Sequence, residues 1–151
     1  MRTLVFQSFT PTPDGLACDG VSVHSIVESV GTPAYIYSAS AIRDAYRAID
    51  DAFSAYPHAI HYALKANSTL AIARLLKGLG SRADANSAGE IEVALRAGFA
   101  SSDVVFTGVG KTGAELDYAI ARGVNAINAE SAGELDRIAD RARAAGRIAR
   151  V

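Results

Sequence analysis

The chain has 151 residues, half of them hydrophobic and 21% charged, with a formal net charge of −1. That is ordinary globular composition, long enough for one domain with a core, and the balanced charge gives no surface suited to nucleic acid or an anionic membrane. Cys18 is the single cysteine, which excludes a disulfide framework or a cysteine zinc cluster within one chain. Beside Asp19-Gly20, with no activating neighbour, it reads as a small turn residue rather than a nucleophile.

Met1 to Thr10 has neither a basic start nor a long apolar core, so no secretory leader is expected. No run is long enough to span a bilayer, and a cytoplasmic protein is expected. Pro11, Pro13, Gly15 and Asp19-Gly20 read as turns. Val21 to Val30 mixes apolar and polar residues as a short helix does. Gly31-Thr32-Pro33 is a breaker, and Ala34-Tyr35-Ile36-Tyr37 has the aromatic and β-branched content of a strand. Ser38 or Ser40 can cap the next helix, whose apolar stripe is Ile42, Ala45, Tyr46, Ile49, Ala52, Phe53 and Tyr56, and Pro57 ends it.

From Ala59 the chain repeats a short strand, a capped helix and a glycine. The spacing predicts helices over Ser68–Leu79, Ala88–Ala97, Gly113–Arg122 and Ala132–Ala145, followed by Gly80, Gly98, Gly123 and Gly146. Ser87…Glu90, Thr112…Glu115 and Ser131…Glu134 have the spacing of capping boxes. Regular βα repetition implies parallel strands with helical crossovers, which a doubly wound sheet and a barrel both satisfy. Arg147 to Val151 reads as the opening of a further strand.

Tyr62-Ala63-Leu64-Lys65-Ala66-Asn67 closes the first strand of this series. Side chains alternate on a strand, so Ile60, Tyr62 and Leu64 are expected on the helix side, with His61, Ala63 and Lys65 opposite. A lysine there stands at the carboxyl edge of the sheet, where α/β proteins place their chemistry; a lysine snorkelling to the surface is the plainer reading. The strand Arg82-Ala83-Asp84-Ala85-Asn86 alternates polar residues with alanine. A polar strand face is expected either to line a site or to close on itself as an Arg82–Asp84 pair. Asn67 can orient the lysine or cap the next helix, as Glu90 can cap its own. Asn67-Ser68-Thr69 also spells a glycosylation sequon, read as chance. Gly108-Val109-Gly110-Lys111-Thr112 is not a P-loop, because Val105 stands where that pattern needs glycine; Lys111 reads as a solvated loop lysine. His61 reads as a satisfied core histidine, His24 and His58 carry no pattern, and no metal constellation is present.

Tyr62-Ala63-x-Lys65-Ala66-Asn67, continued by Ile72, Ala73, Leu76 and Gly80, resembles the pyridoxal-phosphate attachment signature of the ornithine/diaminopimelate/arginine decarboxylases, with the diaminopimelate branch nearest. Asp84 to Ser87 resembles that family's Asp-x-x-Ser segment, although Arg82 and Ala88 stand where a small residue and a glycine are expected. The Gly-x-Gly-Lys-Thr loop also has a family counterpart. The resemblance implies an α/β fold, a (β/α)8 barrel of alanine-racemase type, with residues 39–151 supplying its first four to five units. Residues 1–38 would join a second, β-rich domain. It implies pyridoxal phosphate as cofactor, Lys65 as its attachment point, and Asp84 and Asn67 as cofactor-binding residues. The implied reaction is decarboxylation of meso-diaminopimelate to lysine by a homodimer. Ornithine, arginine or carboxynorspermidine as substrate, and a non-catalytic relative, are the alternatives. The resemblance covers nearly the whole chain but only the opening part of such an enzyme, so the chain is expected to be an inactive fragment.

Overall fold

The computed structural model describes residues 8–151, which divide into two units on either side of the Pro57–His58 junction. The expectation of no leader falls largely on residues outside the described ones. No helix among those described is long and apolar enough to cross a membrane.

In the first unit, β1 (Phe9–Thr12), β2 (Gly15–Cys18) and β3 (Val21–Ser22) form an antiparallel sheet in the order β1-β2-β3. The turns expected in this region are present, but paired strands lie between them, held by cross-strand bonds that polar, proline-containing residues do not advertise. Asp19 and Gly20 both take positive φ, 50° and 81°, so they make the two-residue turn whose twist suits a hairpin. Cys18 is buried beside this turn.

Helix α1 spans Val23–Val30 with Ser22 as its cap; α2 spans Ala39–Phe53 with Ser38 as its cap. The side chain of Asp19 accepts from Ser38 Oγ at 2.7 Å and from the Ser40 amide at 3.0 Å, so the turn also anchors the start of α2. Hydrogen bonds from Ser40, then Ser38, lower the Asp19 pKa to about 2. On α2, Tyr46 is buried while Ile49 and Phe53 are exposed. The strand expected at Ala34–Tyr37 is not formed: no described strand pairs with it, and Tyr35 and Tyr37 are exposed. Residue preference makes an extended segment, but only a neighbour's hydrogen bonds make it a strand.

The second unit is a parallel sheet in the order β4-β5-β6-β7, from β4 (His61–Ala63), β5 (Arg82–Ala85), β6 (Val104–Phe106) and β7 (Ala126–Ile127). Helices α3 (Leu70–Gly78), α4 (Ala88–Ala97), α5 (Gly113–Arg122) and α6 (Ala132–Ala144) follow the strands in turn. Observed α4 and α5 match their expected bounds. Helix α3 starts two residues later and ends one earlier than expected, and α6 ends one earlier. The expected strand at Arg147–Val151 is reduced to a single rung, in which the Ile127 amide donates to Arg150 O at 2.9 Å.

Alternation divides this sheet by chemistry. Ala83 and Ala85 are fully buried on the helix side, in one core with Leu64, Ile91, Phe106, Leu116, Ile127 and Ile138. Each large side chain so buried contributes about 1.5–3 kcal/mol relative to exposure. Asp84 lies on the opposite face, level with Ala63 and Val105. The ladder continues past the strands: the Thr107 amide donates to Ala85 O and the Asn128 amide to Phe106 O. Both residues are thereby fixed at the carboxyl edge.

Only one of the three expected capping boxes closes. Thr112 and Glu115 bond reciprocally. At α4 and α6 the serine half forms, Ser87 accepting from the Glu90 amide and Ser131 from the Glu134 amide. Glu90 and Glu134 instead reach one residue further back, to the amides of Asn86 and Glu130, at 2.8 and 2.7 Å.

Candidate functional site

The carboxyl edge of the parallel sheet carries a cavity of ≈ 370 Å³ lined by His61, Asp84, Val105, Thr107 and Asn128. The lining follows from parity, since these residues occupy one face of four adjacent strands and their extensions. His61, expected as a satisfied core residue, is half-buried and lines the cavity.

Lys65 is not the last residue of the strand. β4 ends at Ala63, and Lys65 lies in a single 3-10 turn, Leu64–Ala66, that packs against β5 and α4. Leu64 is fully buried and pins the turn; Lys65 next to it is exposed. The Tyr62 hydroxyl donates to Asn67 O at 2.9 Å and so ties the far end of the turn back to β4. Asn67 is half-buried, and its side-chain oxygen accepts from the Thr69 amide at 3.0 Å in an Asx turn; the cap residue of α3 is Thr69, not the expected Asn67.

Asp84 sits at the centre of the cavity-facing side of β5. Its Oδ1 is buried and has no hydrogen-bond partner among the described residues, and the same holds for Asn86 Nδ2. The alternative Arg82–Asp84 pairing is not seen, because Arg82 lies 3.7 Å from Asp103 instead. A buried carboxylate oxygen left unpaired costs free energy that a bound cationic or N–H group would offset. Lys65 is not among the residues that line the cavity; it lies in the turn that follows β4, and an amine of this kind is the group that attacks a carbonyl. Together they fit a ligand carrying an aldehyde and a protonated nitrogen.

Three features of this edge escaped the sequence. Thr107 and Asn128 line the cavity, with Asn128 Nδ2 donating to Thr107 Oγ1 at 3.1 Å. Their signal was available in the parity of Val105 and Thr107, and in the match of Asp84-Ala-Asn-Ser-Ala-Gly-Glu90 to Asn128-Ala-Glu-Ser-Ala-Gly-Glu134, which sets Asn128 in the place of Asp84. Lys111 is a correction: its ammonium is fully buried, bonded to Asn128 O at 2.7 Å and to Glu134 Oε2 at 3.3 Å. The glycine-rich loop before it also has a structural cause. A Cβ at Gly108 would lie 2.1 Å from Asn86 O, so the loop after β6 needs a bare backbone to pass the loop after β5.

Residues 39–151 match the family described as pyridoxal-dependent decarboxylase, pyridoxal binding domain. The diaminopimelate decarboxylase of Pseudomonas aeruginosa is 43% identical over 123 residues, covering 82% of this chain and 30% of that relative. Among solved structures, a diaminopimelate decarboxylase from M. jannaschii in complex with L-lysine superposes with a TM-score of 0.88 at 32% identity, over 95% of this chain and 34% of that one. A lysine/ornithine decarboxylase from Vibrio vulnificus, complexed with putrescine, gives 0.68 at 28%, over 76% and 31%. The chain thus spans about a third of the length of the relatives it matches.

Proposed function

Because the chain belongs to the pyridoxal-dependent decarboxylase family through its pyridoxal-binding domain, we propose that the protein carrying it decarboxylates meso-2,6-diaminopimelate to L-lysine and CO2. The observation that carries this reading is the cavity on β4–β7 where Asp84 keeps a buried oxygen unpartnered, with Lys65 in the turn that follows β4. The higher identity and TM-score of the diaminopimelate relatives support that substrate over ornithine.

The cofactor is pyridoxal phosphate, which when bound supplies an electron sink for the carbanion left by loss of CO2. Lys65 is the attachment residue, its amine the nucleophile that would take up the cofactor's aldehyde. Asp84 accepts a hydrogen bond from the ligand through Oδ1 and holds positive charge beside it. Asn67 keeps the Lys65 turn in register with the start of α3 and borders the ligand. His61, Thr107 and Asn128 enclose the cavity from β4, β6 and β7. Residues 1–38 join a β-rich domain, and the complete protein works as a cytoplasmic homodimer.

The test uses the full-length protein. CO2 release from meso-diaminopimelate is expected, with borohydride fixing the cofactor on the Lys65 peptide. Lys65→Ala is expected to abolish both. Turnover of ornithine alone would replace the substrate, and cofactor uptake without turnover of any amino acid would make the protein a binding relative.

A further inference from the structure

The ammonium of Lys111 has no exposure and the Glu134 carboxylate 2%. Buried ion pairs seldom stabilise a fold more than apolar side chains of the same volume would, so this pair calls for a geometric reason. Lys111 Nζ grips the carbonyl of Asn128 at 2.7 Å and lies 5.4 Å from the centroid of the Phe106 ring. The oxygen of Glu134 that pairs with it also takes the Glu130 amide at 2.7 Å. The two charges therefore clamp the backbone at residues 128 and 130, on either side of Ala129. Between these grips the Asn128 side chain is delivered to the cavity, where it holds Thr107 Oγ1. An apolar plug in place of Lys111 would fill the space and leave the carbonyl free.

We propose that Lys111 is a positioning residue: paired with Glu134, it fixes the backbone of Asn128 so that the Asn128 carboxamide forms part of the cofactor cavity. This rests on the reading of that cavity as the pyridoxal-phosphate site. Asn128 takes the place in its loop that Asp84 takes in the matching loop two strands away, so the cavity receives a carboxylate from one and a carboxamide from the other. The glutamate grip is common to both loops, Glu90 on the Asn86 amide and Glu134 on the Glu130 amide; what differs is that Asp84 lies within β5, paired with strands on both sides, whereas Asn128 lies past the end of β7 and has Lys111 on its carbonyl.

The experiment compares the full-length parent with Asn128→Ala, with the paired change Lys111→Met/Glu134→Leu, and with the combination of all three. The paired change removes both charges, so folding is expected to survive; Lys111→Met/Glu134→Gln is the second form if it does not. Equilibrium dialysis against pyridoxal phosphate is expected to show about a tenfold weaker Kd for Asn128→Ala, the scale of one lost hydrogen bond. The paired change should give a similar loss, and the combination no further loss, since both act through one side chain. In cofactor-free protein, the Asn128 side-chain amide resonances should move in the paired variant. Parent affinity in the paired variant, additive losses, or unmoved Asn128 resonances would each overturn the proposal. A parent that takes up no pyridoxal phosphate would instead overturn the site reading, and the resonances would still decide whether Lys111 positions Asn128.

Discussion

The loops after β5 and β7 are built from nearly the same residues, Asp84 to Glu90 and Asn128 to Glu134, and differ in what they leave unsatisfied. In both, serine caps the following helix and glutamate accepts the amide just before that serine. In the first, the cavity-facing carboxylate keeps a buried oxygen without a partner. In the second, the cavity-facing carboxamide is bonded to Thr107 and its backbone to a buried lysine, and the buried oxygen left without a hydrogen bond is Glu134 Oε1, which does not line the cavity. The same scaffold serves an open position and a closed one. Chemistry is expected at the open position and rigidity at the closed one.

The largest expected effect is at the closed loop. Lys111→Met alone leaves Glu134 charged and buried, and should cost about 3–5 kcal/mol in denaturant unfolding; Lys111→Met/Glu134→Leu should recover most of it. Equal stability of the single and paired variants would break the contrast. Acid should act there next. The Glu130 amide first, with Lys111, holds the Glu134 carboxyl below its ordinary range against desolvation. A depressed carboxyl stabilises the fold above its unfolded pKa, ~4.3, and that stability is lost as pH falls through the lower folded value. Unfolding midpoints between about pH 6 and 3 should therefore fall more steeply for the parent than for the paired variant.

Smaller effects test the shared scaffold. Ser87→Ala and Ser131→Ala should each cost about 1 kcal/mol, and a large inequality in thermal unfolding would mean that the two caps are not equivalent. Smallest in stability is Asp84→Asn, expected to be neutral or slightly stabilising because the buried Oδ1 of Asp84 has no hydrogen-bond partner to lose, yet to weaken cofactor binding. A strongly destabilised Asp84→Asn would show that this carboxylate serves the fold.

Features fixed by neighbours in sequence were legible, and those fixed across space were not. Helices α4 and α5 match their expected bounds because cap, stripe and terminal glycine all lie within one helix length. Motif and parity singled out Lys65 and Asp84; Asp84 lines the cavity, whereas the strand ends early enough to move Lys65 onto a turn. Ala34–Tyr37 has strand residues but no described pairing partner. Lys111 looked like any loop lysine, because its burial depends on Glu134, 23 residues away. The unpaired state of Asp84 depends likewise on Arg82 turning to Asp103.

The alanine–aspartate–alanine order of β5 leaves this strand no slack in length. Inserting or deleting one residue ahead of Asp84 would reverse which flank each following side chain occupies, driving the acid among Leu64, Ile91 and Phe106 and presenting a bare methyl to the cavity. Length changes in natural variants should therefore collect outside β5, even where single substitutions within it are tolerated.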